Sequence, residues 1–190
     1  MRLAWIVVPL CVVGCAAPPH LATTPPKFGT FANVKPEPPT QGELDAAPQP
    51  CAGADRICHV EVTAVNVTPR VKDVAGNEYD CIVATVYPQT IVVVGGDRVR
   101  WHIAGASSEF RFPLPNNNGQ TGIVIVGNNP SHDFDIATHT ISRKEIQRWV
   151  RKQQIAMRYM YNIEVVRQPS VNTDSPVPCL TLDPIIINRP

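Results

Sequence analysis

The sequence lacks the short motifs that mark the common enzyme classes. No GxSxG, HExxH or GxxxxGK[ST] pattern and no paired-carboxylate signature occurs in its 190 residues. Ser131-His132-Asp133 contains the residue types of a catalytic triad. Adjacent residues on an extended chain face opposite ways, however, and cannot assemble one. These absences favour a protein without enzymatic activity.

Net charge and long apolar runs are also scarce. The chain has 17 Lys and Arg against 16 Asp and Glu, a formal net charge of +1. It therefore has no overall basic excess of the kind that nucleic-acid binding requires, and we expect no nucleic-acid partner. The apolar run Leu3–Val13 is shorter than the roughly 20 residues that a membrane-spanning helix needs.

The first fifteen residues are organised as an export signal. Arg2 supplies a cationic start, Leu3–Val13 an apolar stretch, and Gly14 a small residue. The run Val12-Val13-Gly14-Cys15 resembles the lipobox of bacterial lipoproteins. That resemblance implies cleavage before Cys15 and lipidation of its thiol. The alternatives are an ordinary secretory signal and a buried helix.

The same resemblance implies a location. In lipoproteins of Gram-negative bacteria, a residue other than aspartate after the lipidated cysteine usually implies transfer to the outer membrane, and here that residue is Ala16. We therefore expect residues 1–14 to be a signal peptide. The mature protein would be anchored in the outer membrane, with its domain in the periplasm or at the cell surface.

The next segment is dominated by proline. Residues 16–50 contain nine of the twenty prolines of the chain. Proline fixes φ and lacks an amide donor, so we expect neither a helix nor a strand in this segment. We predict a lipid-anchored, disordered tether over residues 15–50, extended at roughly 3.1 Å per residue. The alternative is a polyproline ligand for an aromatic groove.

Residues 51–190 have the length of one domain and the pattern of a mainly β protein. Arg98–Ile103 alternates strictly, which predicts that Val99, Trp101 and Ile103 face a core. We predict a single β-sandwich with antiparallel or mixed sheets. Its strands are expected near Cys58–Thr68, Cys81–Val86, Thr90–Val94, Arg98–Ile103, Glu109–Phe112, Gly122–Val126, Arg158–Val166 and Leu180–Asn188.

One short amphipathic helix is expected among the strands. Ser142 and Glu145 have the spacing of a capping box, and Ile146, Trp149 and Val150 follow at helical spacing. Five cations would occupy its other faces and form a candidate partner-binding surface. These are Arg143, Lys144, Arg148, Arg151 and Lys152. The alternative is a solvated helix that only covers the end of the sandwich.

A longer motif carries a resemblance to a fold family. The stretch Pro88–Trp101 resembles the P-x-x-(I/L)-x-V-x-x-G-D-x-V-x-W pattern of cupredoxin-like sandwiches, and Tyr159–Val165 resembles their penultimate strand. Blue-copper sites need two histidines, a cysteine thiolate and usually a methionine. This chain has no histidine after Cys179 and no cysteine in the late strand. The resemblance thus implies the fold without the electron-transfer function, and immunoglobulin-like sandwiches share the same alternation.

The remaining cysteines indicate disulfides. Apart from Cys15 and one cysteine in the signal, four are left for the domain. In an oxidising compartment four cysteines indicate two disulfides, with three connectivities open. We favour Cys51–Cys58, which closes a short local loop, together with Cys81–Cys179, which ties an early strand to a late segment.

Four residues are weak candidates for a zinc or copper site. They are His132, His139, Met157 and Met160. The alternative is a polar loop with solvated histidines and methionines that pack in or beside the core. We expect no cofactor.

These observations predict a non-enzymatic envelope lipoprotein. It would act as a binding or assembly module whose partners are the membrane, through its lipid, and another envelope protein. The alternatives are a periplasmic metal carrier and an inhibitor or sensor of an envelope enzyme.

Overall fold

The computed structural model describes residues 38–46, 51, 55–105, 109–115, 121–126, 134, 138–152, 154–168 and 176–190. These residues are mainly β, as predicted. Their one helix is α1 (Gln41–Ala46). Their strands are β1 (Ile57–Lys72), β2 (Glu78–Tyr87), β3 (Thr90–Val94), β4 (Arg98–Ile103), β5 (Phe110–Arg111), β6 (Ile123–Val126), β7 (His139–Ser142), β8 (Glu145–Trp149), β9 (Met157–Ile163), β10 (Val166–Arg167), β11 (Val177–Pro178) and β12 (Ile185–Arg189).

The strands form two larger sheets and one small sheet. The five-stranded sheet has the order β2-β1-β4-β8-β7, and the four-stranded sheet has the order β3-β12-β9-β6. The small sheet has three strands in the order β11-β10-β5. The pairs β1–β4 and β3–β12 are parallel, whereas the other strand pairs are antiparallel. The two larger sheets are therefore mixed and the small sheet is antiparallel, as expected for an antiparallel or mixed sandwich.

The core lies between the two larger sheets. Alternate residues of β4 and of β9 are fully or almost fully buried. The rings of Trp101 on β4 and Tyr161 on β9 meet edge to face across the sandwich, with centroids 5.7 Å apart. The predicted inward row of Val99, Trp101 and Ile103 is confirmed by its burial. Burial of each such side chain contributes roughly 1.5–3 kcal/mol to folding.

Both favoured disulfides are present. Cys51 is bonded to Cys58, and Cys81 is bonded to Cys179. The second bridge joins residues 98 positions apart, and both of its cysteines lie in the core. Such a long closed loop limits the unfolded chain far more than a short one does.

The amphipathic helix predicted after Ser142 is wrong. Residues 139–149 form the antiparallel hairpin β7–β8, in which the Lys144 amide donates to Oγ of Ser142 (3.2 Å). Ile146, Arg148 and Val150 are buried on one face of the strand, and Gln147 on the other face is buried too, whereas Trp149 is 40% exposed. These residues form a strand rather than a helix because β8 pairs with β4 in an antiparallel arrangement.

The prediction of disorder in the proline-rich segment is wrong for residues 41–46. Thr40 and Glu43 form a capping box, in which the Thr40 amide donates to Oε2 of Glu43 (3.0 Å) and the Glu43 amide donates to Oγ1 of Thr40 (3.2 Å). These six residues contain no proline, so a single capped turn and a half can form between proline runs.

Candidate cavity at the tip of the β1–β2 hairpin

The tip of the β1–β2 hairpin is a preformed loop held by Asp73. Its Oδ1 accepts hydrogen bonds from the amides of Ala75 and Asn77, both at 2.9 Å. Its Oδ2 accepts from Nδ2 of Asn77 (2.8 Å) and from the hydroxyl of Tyr79 (3.1 Å). These bonds, first that from the Asn77 side chain, lower the pKa of Asp73. The loop conformation is therefore fixed without a ligand.

The end of β9 supplies the opposite wall. Tyr161, Ile163 and Val165 face the core, so the alternate residues Asn162 and Glu164 lie on the outer side. The Glu164 amide donates to the carbonyl oxygen of Gly122 (2.7 Å).

Gly122 has a positive φ of 67°, and a Cβ there would lie 2.6 Å from Cδ1 of Ile146. Glycine suits this position because a larger residue would be strained at this φ and would crowd Ile146. The hydrogen bond from the Glu164 amide therefore attaches the cavity wall to a closely packed part of the backbone.

A third segment forms the floor. The amide of Leu180 donates to the carbonyl of Cys81 (2.9 Å), and the amide of Val83 donates to the carbonyl of Leu180 (2.8 Å). Together with the Cys81–Cys179 disulfide, these bonds fix residues 178–181 against β2.

These three segments, with Pro113, enclose a cavity of about 360 Å³. This volume lies within the usual range of ligand-binding pockets.

The cavity is mostly apolar, with a few oxygen acceptors. Val166, Pro178 and Leu180 line it beside Asn162 and Glu164. Among the described lining residues, Asp73 and Glu164 are the charged ones and none is lysine, arginine or histidine. The cavity therefore has a net negative character.

Glu164 is the unusual member of this set. Its carboxylate forms no ion pair and no side-chain hydrogen bond within the described part of the chain. Surrounding protein atoms raise its pKa by desolvation. Its side chain is nevertheless exposed to solvent, because the cavity is open on one side.

Two further acceptors are buried at the same end of β9. The Tyr161 amide donates to the carbonyl of Pro184 (3.1 Å), and the Ile163 amide donates to the carbonyl of Leu182 (3.4 Å). This antiparallel register places Asp183 opposite Asn162. Oδ1 of Asn162 and Oδ1 of Asp183 are both buried and have no hydrogen-bond partner among the described residues. Burial raises the pKa of Asp183 to about 6. This end of the sheet is thus rich in acceptors that lack donors.

Two exposed apolar side chains lie at the cavity or next to it in the chain. Val74 at the loop tip is 77% exposed. Leu114, next to the cavity-lining Pro113, is 78% exposed. Exposed apolar groups beside a concave polar site are typical of surfaces that bind another molecule.

The structure does not assemble the predicted basic surface. Arg148 is only 5% exposed, and it donates to Oγ1 of Thr138 and to the carbonyl of Ile123, both at 2.9 Å. Lys144 lies in the β7–β8 turn and donates to the carbonyl of Gly105 (2.8 Å).

The other three cations of that surface are exposed but divided. Arg143 lies in the same turn as Lys144, whereas Arg151 and Lys152 follow β8 at its other end. A five-cation face was predicted because a helical period was assigned to a strand.

The weak metal candidates are not brought together either. His139 lies exposed on β7 of the five-stranded sheet, whereas Met157 and Met160 lie on β9 of the four-stranded sheet. Three positions apart on a strand, the two methionines face opposite sides. The described residues contain no group of three His, Cys, Asp or Glu side chains that could hold a metal ion. His132 lies outside the described residues.

Cys15 and the signal sequence also lie outside the described residues, as does most of the tether. In the part of the chain that is described, no helix has the length and apolar character needed to cross a membrane.

Sequence reasoning did not identify the cavity. Its walls come from residues 73–79, 162–166 and 178–181, which are far apart in the chain. The available signals were a turn at Ala75-Gly76-Asn77 and the outward position of Glu164 after the row of Tyr159, Tyr161 and Ile163.

No protein-family model matches this chain. A comparison with curated proteins found no match either.

Proposed function

We propose that this protein is a non-enzymatic binding module of the bacterial envelope. In this proposal a lipid on Cys15 holds it in the outer membrane, the proline-rich tether lets the sandwich stand away from the lipid, and the cavity binds another envelope protein. The cavity is the observation that carries the proposal, since it combines a fixed loop, exposed apolar neighbours and acceptors without donors.

The ordered loop at the tip of the β1–β2 hairpin favours a binding function. Binding costs less conformational entropy when the site is already ordered, and the four hydrogen bonds to Asp73 order this one. The loop-tip residue Val74 is 77% exposed and does not belong to the core cluster, so its side chain is open to a partner.

Site-specific photo-cross-linking in cells tests the proposal. A photoreactive phenylalanine analogue replaces Val74, at the cavity, or Tyr87, which is 76% exposed at the far end of β2. The two sites have equal exposure and lie about 30 Å apart along the strand. We expect one discrete protein adduct from position 74 and none from position 87. Equal adducts at both positions, or none at position 74, would contradict the proposal.

The anchor is tested separately. Cys15→Ser removes the thiol that the lipid would occupy, and we expect the folded protein to leave the membrane fraction. A Cys15→Ser protein that stays in the membrane fraction would overturn the lipoprotein part of the proposal while leaving the cavity untouched.

A further inference from the structure

The cavity also indicates which chemical group it receives. Resting on the proposed function, we infer that the cavity binds a lysine or arginine side chain of a partner polypeptide, with the cationic head at Glu164 and the flanking residues on Val74 and Leu114.

The charge of the cavity favours a cationic ligand. Glu164 is exposed to solvent on the wall of a mostly apolar cavity, and a carboxylate beside apolar surface is stabilised when a cation or hydrogen-bond donors reach it. Glu164 has neither within the described residues, and no basic side chain lines the cavity in that part of the chain. The buried carboxylate of Asp97, by contrast, is paired with Arg56 (2.8 Å). Glu164 is therefore a site that a cation from outside can complete.

The shape of the cavity favours a long side chain. A lysine or arginine side chain has an apolar stem and a charged head. The cavity has apolar walls, among them Val166, Pro178 and Leu180, and a carboxylate among them. A volume of about 360 Å³ admits a long side chain.

The exposed residues beside the cavity indicate the source of the cation. Val74 and Leu114 are exposed beside the cavity and would have no contact with a small free amine. A polypeptide that carries a basic residue between apolar ones covers them, so a partner protein fits the surface better than a polyamine does.

Peptide titration of the full ¹⁵N-labelled chain tests this inference. The probes are acetyl-Val-Lys-Val-amide, the same peptide with Nε-acetyl-lysine, and n-butylammonium. We expect the lysine peptide to shift the backbone amide signals of Tyr79 and Glu164 and to bind at least about tenfold more tightly than either other probe.

Matched variants locate the effect. Glu164→Gln keeps the size of the side chain, and it should remove the preference for lysine over acetyl-lysine. Glu61→Gln changes an exposed glutamate of the other sheet and should leave the preference intact.

Three results would overturn the inference. They are equal binding of the charged and acetylated peptides, an unchanged preference in Glu164→Gln, and butylammonium binding as tight as the peptide. If any one of them occurs while the cross-link from position 74 persists, the ligand class is wrong but the binding function stands. Loss of the cross-link instead removes the binding function itself.

Discussion

Oε1 of Glu43 on α1 lies 2.8 Å from Nε of Arg158 on β9, so the helix described in the proline-rich segment is ion-paired to the sandwich. A hydrogen bond from Nη2 of Arg189 to the carbonyl of Leu44 (3.4 Å) adds a second contact. The tether thus meets the domain at the four-stranded sheet before it enters through the Cys51–Cys58 loop.

The first prediction concerns this ion pair. The Thr40 amide, followed by the charge of Arg158, holds the pKa of Glu43 below its usual value, so the carboxylate stabilises α1 at neutral pH and loses this effect as the pH falls through its folded pKa. Both side chains are partly exposed, so Glu43→Gln should cost about 0.5–1 kcal/mol. Hydrogen exchange at the Leu44 amide should accelerate roughly two- to fivefold.

Arg158→Gln provides the matched test of the pair. Hydrogen exchange at the Leu44 amide should be about as fast in the Glu43→Gln, Arg158→Gln double variant as in either single variant, since both substitutions remove the same interaction. Fully additive effects would show that the two residues do not act together.

The second prediction concerns Asp183. Burial raises its pKa to about 6 in the folded protein, against a value of 3.8 for a free aspartate. Between these two values the unfolded chain gives up the proton and the folded chain keeps it, so stability falls as the pH rises from about 4 to 6 and then levels off. After allowance for partial exposure, the charge costs about 1–2 kcal/mol at pH 7.

Asp183→Asn should therefore stabilise the protein by about that amount at pH 7 and change it little below pH 4. Denaturant unfolding at a series of pH values measures the difference. Asp45→Asn, at an exposed aspartate of α1, is the control. A destabilised Asp183→Asn variant at pH 7 would show that the ionised form is stabilised after all.

The third prediction concerns Arg148, the cation that the hairpin buries. Arg148→Met keeps a long side chain but removes the donors to Thr138 and Ile123, so it should cost about 2–4 kcal/mol. Arg143→Met, in the exposed turn, should change stability by less than about 0.5 kcal/mol. Similar small losses for both variants in denaturant unfolding would indicate that Arg148 is exposed, as a helix would have it.

Sequence periodicity predicted most strands of the sandwich but failed at this hairpin for a definite reason. Two residues four apart, such as Ile146 and Val150, share a face on both a helix and a strand. Trp149 is the residue that separates the two periods, and its exposure follows the strand period. The motif that seemed to start a helix at Ser142 forms a turn, whereas Thr40 and Glu43 form the capping box of α1.

The contrasting success at β3 and β4 has two reasons, because β4 alternates strictly between buried and partly buried residues, whereas β3 is a short continuous apolar run. Both strands have the predicted bounds, Thr90–Val94 and Arg98–Ile103. The cavity could not be predicted in this way, because the proximity of Tyr79, Glu164 and Leu180 depends on how three distant segments pack. The choice between a cupredoxin-like and an immunoglobulin-like sandwich stays a prediction.

The fourth prediction concerns cross-linking from two exposed residues, Val74 and Leu114. If a partner occupies it, a photoreactive residue at Leu114 should capture the same protein as one at Val74, although the two positions lie on different segments. Ile155, which is 64% exposed after β8 and does not line the cavity, is the control.

The identity of the protein captured from these two positions is the most direct test of the account. Binding at the cavity predicts one shared partner, identified by mass spectrometry from positions 74 and 114 and missing from position 155. Different proteins from the two sides, or the same protein from position 155 in equal yield, would contradict it.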